Sequence, residues 1–202
     1  MFTGIIQSIG TLYNINKENN TYKIKTNLNL DDCSIGSSIN CDGVCLTVIN
    51  IKKKYDEYIF DVNLGEETLK RSNLIYWTKN TKINLEKSLK LGSEIAGHFV
   101  YGHVDTVIKI ENIKKIDNSW EFKFSLSSMH NKKNIKKMIV EKGSIAINGI
   151  SLTVSNVFKT SFCVSVLPYT FENTNLSKIK EKNIVNIEFD PIARYIYNHY
   201  EK

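Results

Sequence analysis

The stretch Gly149-Ile150-Ser151-Leu152-Thr153-Val154 repeats an earlier one, Gly43-Val44-Cys45-Leu46-Thr47-Val48, with Ser151 in the place of Cys45. Laid at an offset of 106, residues 43–50 and 149–156 share Gly, Leu, Thr, Val and Asn, five positions of eight. At an offset of 102, residues 60–74 lie over 162–176 without a gap and share Phe, Val, Thr, Asn and Leu. The offset falls by four between the two matches, a deletion of the kind surface loops carry. One module is written twice.

That duplication divides 202 residues into two units of roughly 100, each a normal domain size. With 42% hydrophobic and 24% charged residues, each unit has the means to bury a core. Met1-Phe2-Thr3-Gly4 has neither a basic leader nor a long apolar run, so the expected location is the cytoplasm and no membrane partner is expected. Lys plus Arg (27) exceeds Asp plus Glu (21). The basic runs Lys52-Lys53-Lys54 and Lys132 to Lys137 lack interleaved aromatics, so they read as solvated faces rather than a nucleic-acid surface. Cys33, Cys41, Cys45 and Cys163 are unevenly spaced in a chain without a secretion signal, which argues against disulfides. Cys41 and Cys45 with His98 and His103 do not have a zinc spacing, and no metal site is expected.

Period two dominates the chain. Thr3 to Ile9 reads as a strand, Tyr22, Ile24, Thr26 and Leu28 alternate with polar neighbours, and Asp42-Gly43 reads as a hairpin turn. Tyr58, Phe60, Val62 and Leu64 alternate again, Glu66 to Leu69 suits a short helix, and Ile83-Asn84-Leu85 closes the unit. Tyr101-Gly102-His103-Val104 falls where Thr3-Gly4-Ile5-Ile6 fell and restarts the cycle, which puts the boundary near residue 97. Trp120, Phe122, Phe124 and Leu126 alternate, Ile135, Met138 and Ile139 follow helical spacing, and Asn148-Gly149 repeats the turn. Asp190-Pro191 has the form of a helix start, with Ile192, Tyr195, Ile196 and His199 making one stripe. The expected fold is all-β: two tandem closed barrels, 1–97 and 98–190, related by internal duplication, then a short helix over 191–202 that packs on something further, such as another subunit.

MFTGII at the start, GVCLTV, GHFVYGHVD, KGSIAINGISLTV and VNIEFDP, in this order over nearly the whole chain, resemble the riboflavin synthase family, built of two lumazine-binding repeats with Greek-key barrels. The resemblance implies an enzyme that takes two molecules of 6,7-dimethyl-8-ribityllumazine and moves a four-carbon unit from one to the other. Its products are riboflavin and 5-amino-6-(ribitylamino)uracil, in the last step of riboflavin biosynthesis, with no redox cofactor or metal. It also implies a homotrimer with active sites between subunits, held by the C-terminal helix.

Carried over motif by motif, one pocket takes Gly4, Ile5 and Ile6 with Cys45, Leu46 and Thr47, and with Asn63, Leu64, Gly65, Glu66, Glu67 and Thr68. The other takes Gly102, His103 and Val104 with Ser151, Leu152 and Thr153, and with Ser165, Val166, Leu167, Pro168, Tyr169 and Thr170. Lys142 serves one pocket only, because Gly36 stands near its counterpart position, and Phe2 is placed as a cover over the pocket.

The reaction needs a proton removed from a lumazine methyl group and a nucleophile added to the other ring. His103 is assigned as acid/base, Cys45 and Ser151 as groups that activate or stabilise the adduct, Thr153 as their hydrogen-bonding neighbour, and Asp190 as a further catalytic candidate. Each residue type also has a structural use. Cys45 suits a small buried hydrophobe, Ser151 and Thr153 a turn, His103 a core hydrogen bond and Asp190 a helix cap. Departures from the family pattern are Tyr169-Thr170 for Glu-Thr, Asn148 for Asp before Gly149, and the shortness of the last helix. The competing reading is a non-catalytic lumazine- or flavin-binding antenna, which needs a good pocket and no reactive pair.

Overall fold

The computed structural model describes residues 1–128 and 135–200. The first repeat contributes β1 (Ser8–Asn16), β2 (Thr21–Thr26), β3 (Ser38–Cys41), β4 (Val44–Lys54), β5 (Glu57–Asn63) and β6 (Lys82–Lys87). They close antiparallel in the order β1-β2-β5-β4-β3-β6, a Greek key. The second contributes β7 (Thr106–Ile116), β8 (Ser119–Ser125), β9 (Ser144–Ile147), β10 (Ile150–Val157), β11 (Ser161–Val166) and β12 (Ile184–Phe189), and closes in the same cyclic order. Short helices α1 (Glu66–Arg71) and α2 (Pro168–Glu172) follow β5 and β11, and α3 (Pro191–Tyr200) ends the described chain. Residues 201–202 of the expected helical segment, and part of the basic run before Lys136, lie outside the described residues. No helix among the described residues is long and apolar enough to cross a membrane.

Alternation fills the barrels. Tyr58, Phe60 and Val62 of β5 pack inward with Leu12, Ile24 and Ile83, while Phe122, Phe124 and Phe162 fill the second barrel, the last two stacked at 5.1 Å between ring centroids. The four-residue deletion between the repeats falls in the β10–β11 hairpin, shorter than its counterpart β4–β5. Two expectations need correction. Thr3 to Ile9 is not a strand, because only Ser8 and Ile9 belong to β1 and Gly4 has a positive φ of 76°. Ile135–Met138 forms a single 3-10 turn rather than the start of an α-helix.

The barrels meet along a pseudo-twofold axis. Asp42-Gly43 and Asn148-Gly149 are two-residue turns with both φ values positive, as the tight primed turns require. They abut so closely that a Cβ on either glycine would lie 2.8 Å from the other's backbone nitrogen. Around them the side chains repeat one pattern twice. Asp42 Oδ1 accepts from the Asn84 amide at 2.8 Å and Asn175 Nδ2 at 2.9 Å; Asn148 Oδ1 accepts from the Asn186 amide at 2.8 Å and Asn73 Nδ2 at 3.4 Å. Asn84 Nδ2 donates to the Asn148 carbonyl at 3.0 Å, and Asn186 Nδ2 to the Asp42 carbonyl at 2.7 Å. Each repeat reaches into the other: the Asn73 amide donates to Asn186 Oδ1 at 2.6 Å, and the Asn175 amide to Asn84 Oδ1 at 2.7 Å.

The two halves of this seam differ at Asp42, a carboxyl where the second repeat has the amide of Asn148, and at Trp77, where it has Ile179. Burial pushes the Asp42 carboxyl up to about 7, against the pull of the Asn84 amide, the Trp77 indole and Asn175. Between its unfolded value near 3.8 and about 7, folded Asp42 keeps a proton that the unfolded chain has lost. Its contribution to stability is therefore complete below the lower value and is lost as pH rises toward the upper one. Asp42→Asn supplies the same accepting oxygen without the charge. The variant is expected to gain on the parent as pH rises from 5 to 8, by an amount on the order of a few kcal/mol, read as urea-unfolding free energy. A difference that stays constant across this range counts against Asp42 as the titrating group.

Candidate active site

The segment leading into each repeat crosses to the other barrel. Phe2 and Val100 pair antiparallel, with the Phe2 amide donating to Val100 at 2.7 Å and the Val100 amide to Phe2 at 3.0 Å. Two residues further on, Gly4 accepts the Ser151 amide on β10 and Gly102 accepts the Cys45 amide on β4, both at 2.8 Å. Only glycine fits at either point: φ is +76° and +75°, and an added Cβ would lie 2.6 Å from the Cβ of Ser151 or of Cys45. Ile6 then packs on the second core and Val104 on the first. The expected grouping is thereby reversed. Gly4, Ile5 and Ile6 belong with Ser151, and Gly102, His103 and Val104 with Cys45, because the leading segments are exchanged across the axis.

The first site is a cavity of about 230 Å³ lined by Val44, Cys45, Glu67, Thr68, Arg71, Ser72, Gly102, His103 and Val104. Cys45 is half-buried against the Phe2 and Val100 cluster, and His103 is exposed and stacked on Tyr101. Thr68 ends its wall, its carbonyl accepting the Ser72 hydroxyl at 2.6 Å, and Glu67 pairs with Arg71. Leu46 and Leu64 turn into the core, so they offer a ligand main-chain groups only, while Thr47, Asn63, Gly65 and Glu66 stay exposed beside them.

At the second site the half-buried Ser151 Oγ lies 2.6 Å from His98 Nδ1. Burial holds the His98 imidazole below its ordinary value, outweighing the pull of the nearby Asp190 carboxylate. In the tautomer that carries its proton on Nε2, His98 Nδ1 accepts the Ser151 hydroxyl proton. His98 Nε2 is buried with no hydrogen-bond partner among the described residues. Ile5 and Thr153 are exposed, as are Ser165, Leu167, Pro168 and Tyr169; Thr170 is half-buried, whereas Leu152 and Val166 face the core. Lys142 is exposed at φ +64° where the first repeat has Gly36 at +94°, each amide donating 2.8 Å to its strand, at Val154 and Val48.

Phe2 does other work than expected, and Asp190 takes the helix-cap role expected of it. Phe2 is fully buried with Val100 and Ala146, so it backs Cys45 instead of covering the pocket. Asp190 Oδ1 caps α3 by accepting the Ile192 amide at 2.9 Å, while its charge reaches His98. His103 is exposed, so the core hydrogen bond is not its role. Sequence reasoning placed His98 in the GHFVYGHVD motif and weighed it only as a metal ligand, and it passed over Glu86 and Glu188. Asn84-Leu85-Glu86 and Asn186-Ile187-Glu188, at an offset of 102, were the signal for those two.

Two barrels exchanging their leading segments and each presenting a mouth beside a half-buried thiol or hydroxyl define a duplicated ligand-binding protein. The lumazine binding domain model matches residues 3–88 and again 101–190. Riboflavin synthase of Brucella abortus (strain 2308) is 37% identical over 198 residues, 96% of each chain. Riboflavin synthase of Bacillus subtilis (strain 168) is 34% identical over 204 residues, 100% of this chain and 91% of that one. Among solved structures, LumP complexed with riboflavin superposes with a TM-score of 0.78 at 22% identity, over 94% of this chain and 99% of its own, a likeness of fold. The chain belongs to the riboflavin synthase family of enzymes.

Gly102→Ala is expected to lower stability well beyond the roughly 1–2 kcal/mol that a left-handed backbone costs a side chain, and to quicken alkylation of Cys45. Gly36→Ala, whose Cβ meets nothing within 4 Å, pays the conformational cost alone. Thermal unfolding with peptide mapping of the alkylated thiol checks both, and equal losses in the two variants would mean that the Gly102–Cys45 approach is not constraining.

Proposed function

We propose that this protein is a riboflavin synthase, dismutating two 6,7-dimethyl-8-ribityllumazine molecules into riboflavin and 5-amino-6-(ribitylamino)uracil by transfer of a four-carbon unit. The observation that carries this reading is the 2.6 Å contact between Ser151 Oγ and His98 Nδ1. A binder gains nothing from a hydroxyl poised on a buried base, whereas addition of a nucleophile to a lumazine ring needs one. Cys45, at the position equivalent to Ser151, lines the other pocket together with His103. One pocket holds the donor and the other the acceptor. Flat, polar-edged rings with hydroxylated tails suit mouths that offer main-chain groups and few side chains. Thr153 and Lys142 make polar contacts at the second pocket, and Asp190 acts through His98.

Incubation with the ribityllumazine alone, followed by riboflavin absorbance, tests the activity. His98→Ala and Ser151→Ala are expected to lower kcat by about 100-fold or more with much smaller changes in ligand affinity. LumP complexed with the ribityllumazine shares the fold at a TM-score of 0.76, which keeps a binding-only reading in view. Tight binding of unchanged ligand by the parent protein would establish that antenna reading in its place.

The two rings must face each other, and we assign the meeting of a first pocket with a second to neighbouring subunits of a cytoplasmic homotrimer. The exposed stripe of Ile192, Tyr195 and Ile196 on α3 supports that assembly, since a lone chain leaves it uncovered. Variants disabled separately in the first and in the second pocket are expected to regain partial activity when unfolded and refolded together. A mixture that stays inactive although mixed oligomers form rules out the intersubunit site.

A further inference from the structure

The two strands at the barrel seam end in glutamates, Glu86 on β6 and Glu188 on β12, that the chemistry above does not use. Both point away from the core of their own barrel, where Ile83 and Leu85, or Val185 and Ile187, point inward. Each is 2% exposed. Glu188 Oε1 accepts the Tyr101 amide at 2.7 Å, and its Oε2 accepts the Gly102 amide at 2.9 Å and the His103 amide at 3.0 Å. Glu86 Oε1 accepts the Thr3 amide at 2.7 Å and the Thr3 hydroxyl at 2.9 Å, and its Oε2 accepts the Gly4 amide at 3.0 Å. Successive amides converging on one carboxylate fix a backbone more tightly than any neutral acceptor would.

The amides Glu188 holds are those of the residues that wall the first pocket, where Gly102 receives the Cys45 amide and His103 lines the cavity. The amides Glu86 holds belong to the segment whose Gly4 receives the Ser151 amide of the second barrel. We infer that Glu86 and Glu188 are crossed positioning residues: the carboxylate of each barrel sets the wall of the other barrel's pocket. Glu188 in the second barrel controls the Cys45 and His103 site, and Glu86 in the first barrel controls the Ser151 and His98 site. The inference rests on reading these two mouths as substrate pockets.

Glu188→Gln and Glu86→Gln replace a carboxyl acceptor, whose pKa burial raises in both cases, with an amide that also presents a donor to backbone N–H groups. Hydrogen exchange and Cys45 alkylation report on the segments without reference to turnover. In Glu188→Gln the amides of Tyr101, Gly102 and His103 are expected to exchange at least tenfold faster and Cys45 to alkylate faster, while Thr3 and Gly4 stay as protected as in the parent. In Glu86→Gln the pattern reverses and Cys45 labelling is unchanged. Both variants are expected to lose kcat by tenfold or more, and the Asp variants, which keep the charge but retract it by one methylene, to fall between. Should a Gln variant fail to fold, its Asp counterpart carries the same readings. Loosening of both segments in either variant means general loss of the seam and overturns the crossed assignment, as does unaltered exchange with lost turnover. Absence of riboflavin formation by the parent overturns the proposed reaction instead, while exchange and alkylation still decide the positioning.

Discussion

Everything in this protein depends on two strands that must bury both of their faces. A strand at a barrel surface normally turns polar residues to water. The strands β6 and β12 turn theirs to each other's barrel, so every polar group on that face needs a protein partner. Asparagine answers the requirement at Asn84 and Asn186, because one side chain both accepts an amide proton and donates to a carbonyl. Glutamate answers it at the next outward position by collecting amides from a chain segment that has no strand partner. Leaving any such donor unpaired costs about 1–3 kcal/mol, which is large beside the stability of a domain. A seam of this kind is an all-or-none arrangement, and it fixes the two barrels at one mutual angle.

The pockets inherit their precision from that arrangement. Gly4 and Gly102 bring backbone against backbone at Ser151 and Cys45, and such closeness is possible only where both sides are held. The turns at Gly43 and Gly149 are locked against one another on the same axis, each glycine two residues before Cys45 or Ser151. Cys45 and Ser151 are therefore placed by strands with no freedom to drift, which suits the alignment of two ring systems that the proposed function would need.

Much of this was legible in the sequence for physical reasons. Side-chain alternation gave Tyr58, Phe60 and Val62 to a core, Asp42-Gly43 and Asn148-Gly149 demanded tight turns, and the repeat made the second barrel follow from the first. The exchange of leading segments was not legible. Thr3-Gly4-Ile5-Ile6 looks like the start of a strand, and nothing local distinguishes pairing with one's own barrel from pairing with a copy of it. The choice is made by the two glutamates more than 80 residues away, which is a long-range constraint with a weak local signature. His98 lies in the GHFVYGHVD stretch and was weighed only as a metal ligand, because its contact with Ser151, 53 residues further on, has no local signature.

Which positions repeat follows from their place in the fold. The scaffold positions are kept in both copies: Asn84 with Asn186, Glu86 with Glu188, Gly4 with Gly102, Gly43 with Gly149. Positions at the two mouths differ. Cys45 corresponds to Ser151 and Gly36 to Lys142, and Ser151 has His98 against its hydroxyl. The proposed reaction would treat two molecules of one compound differently, since one would lose the carbon unit that the other gains. A strictly symmetric pair of pockets would bind them equally and favour neither direction of transfer. The seam keeps its paired asparagines and glutamates in both copies while the side chains at the two mouths differ, so one scaffold presents two chemically distinct sites. Under the proposed function, His98 against Ser151 in one mouth and His103 beside Cys45 in the other would give the two bound rings different neighbours.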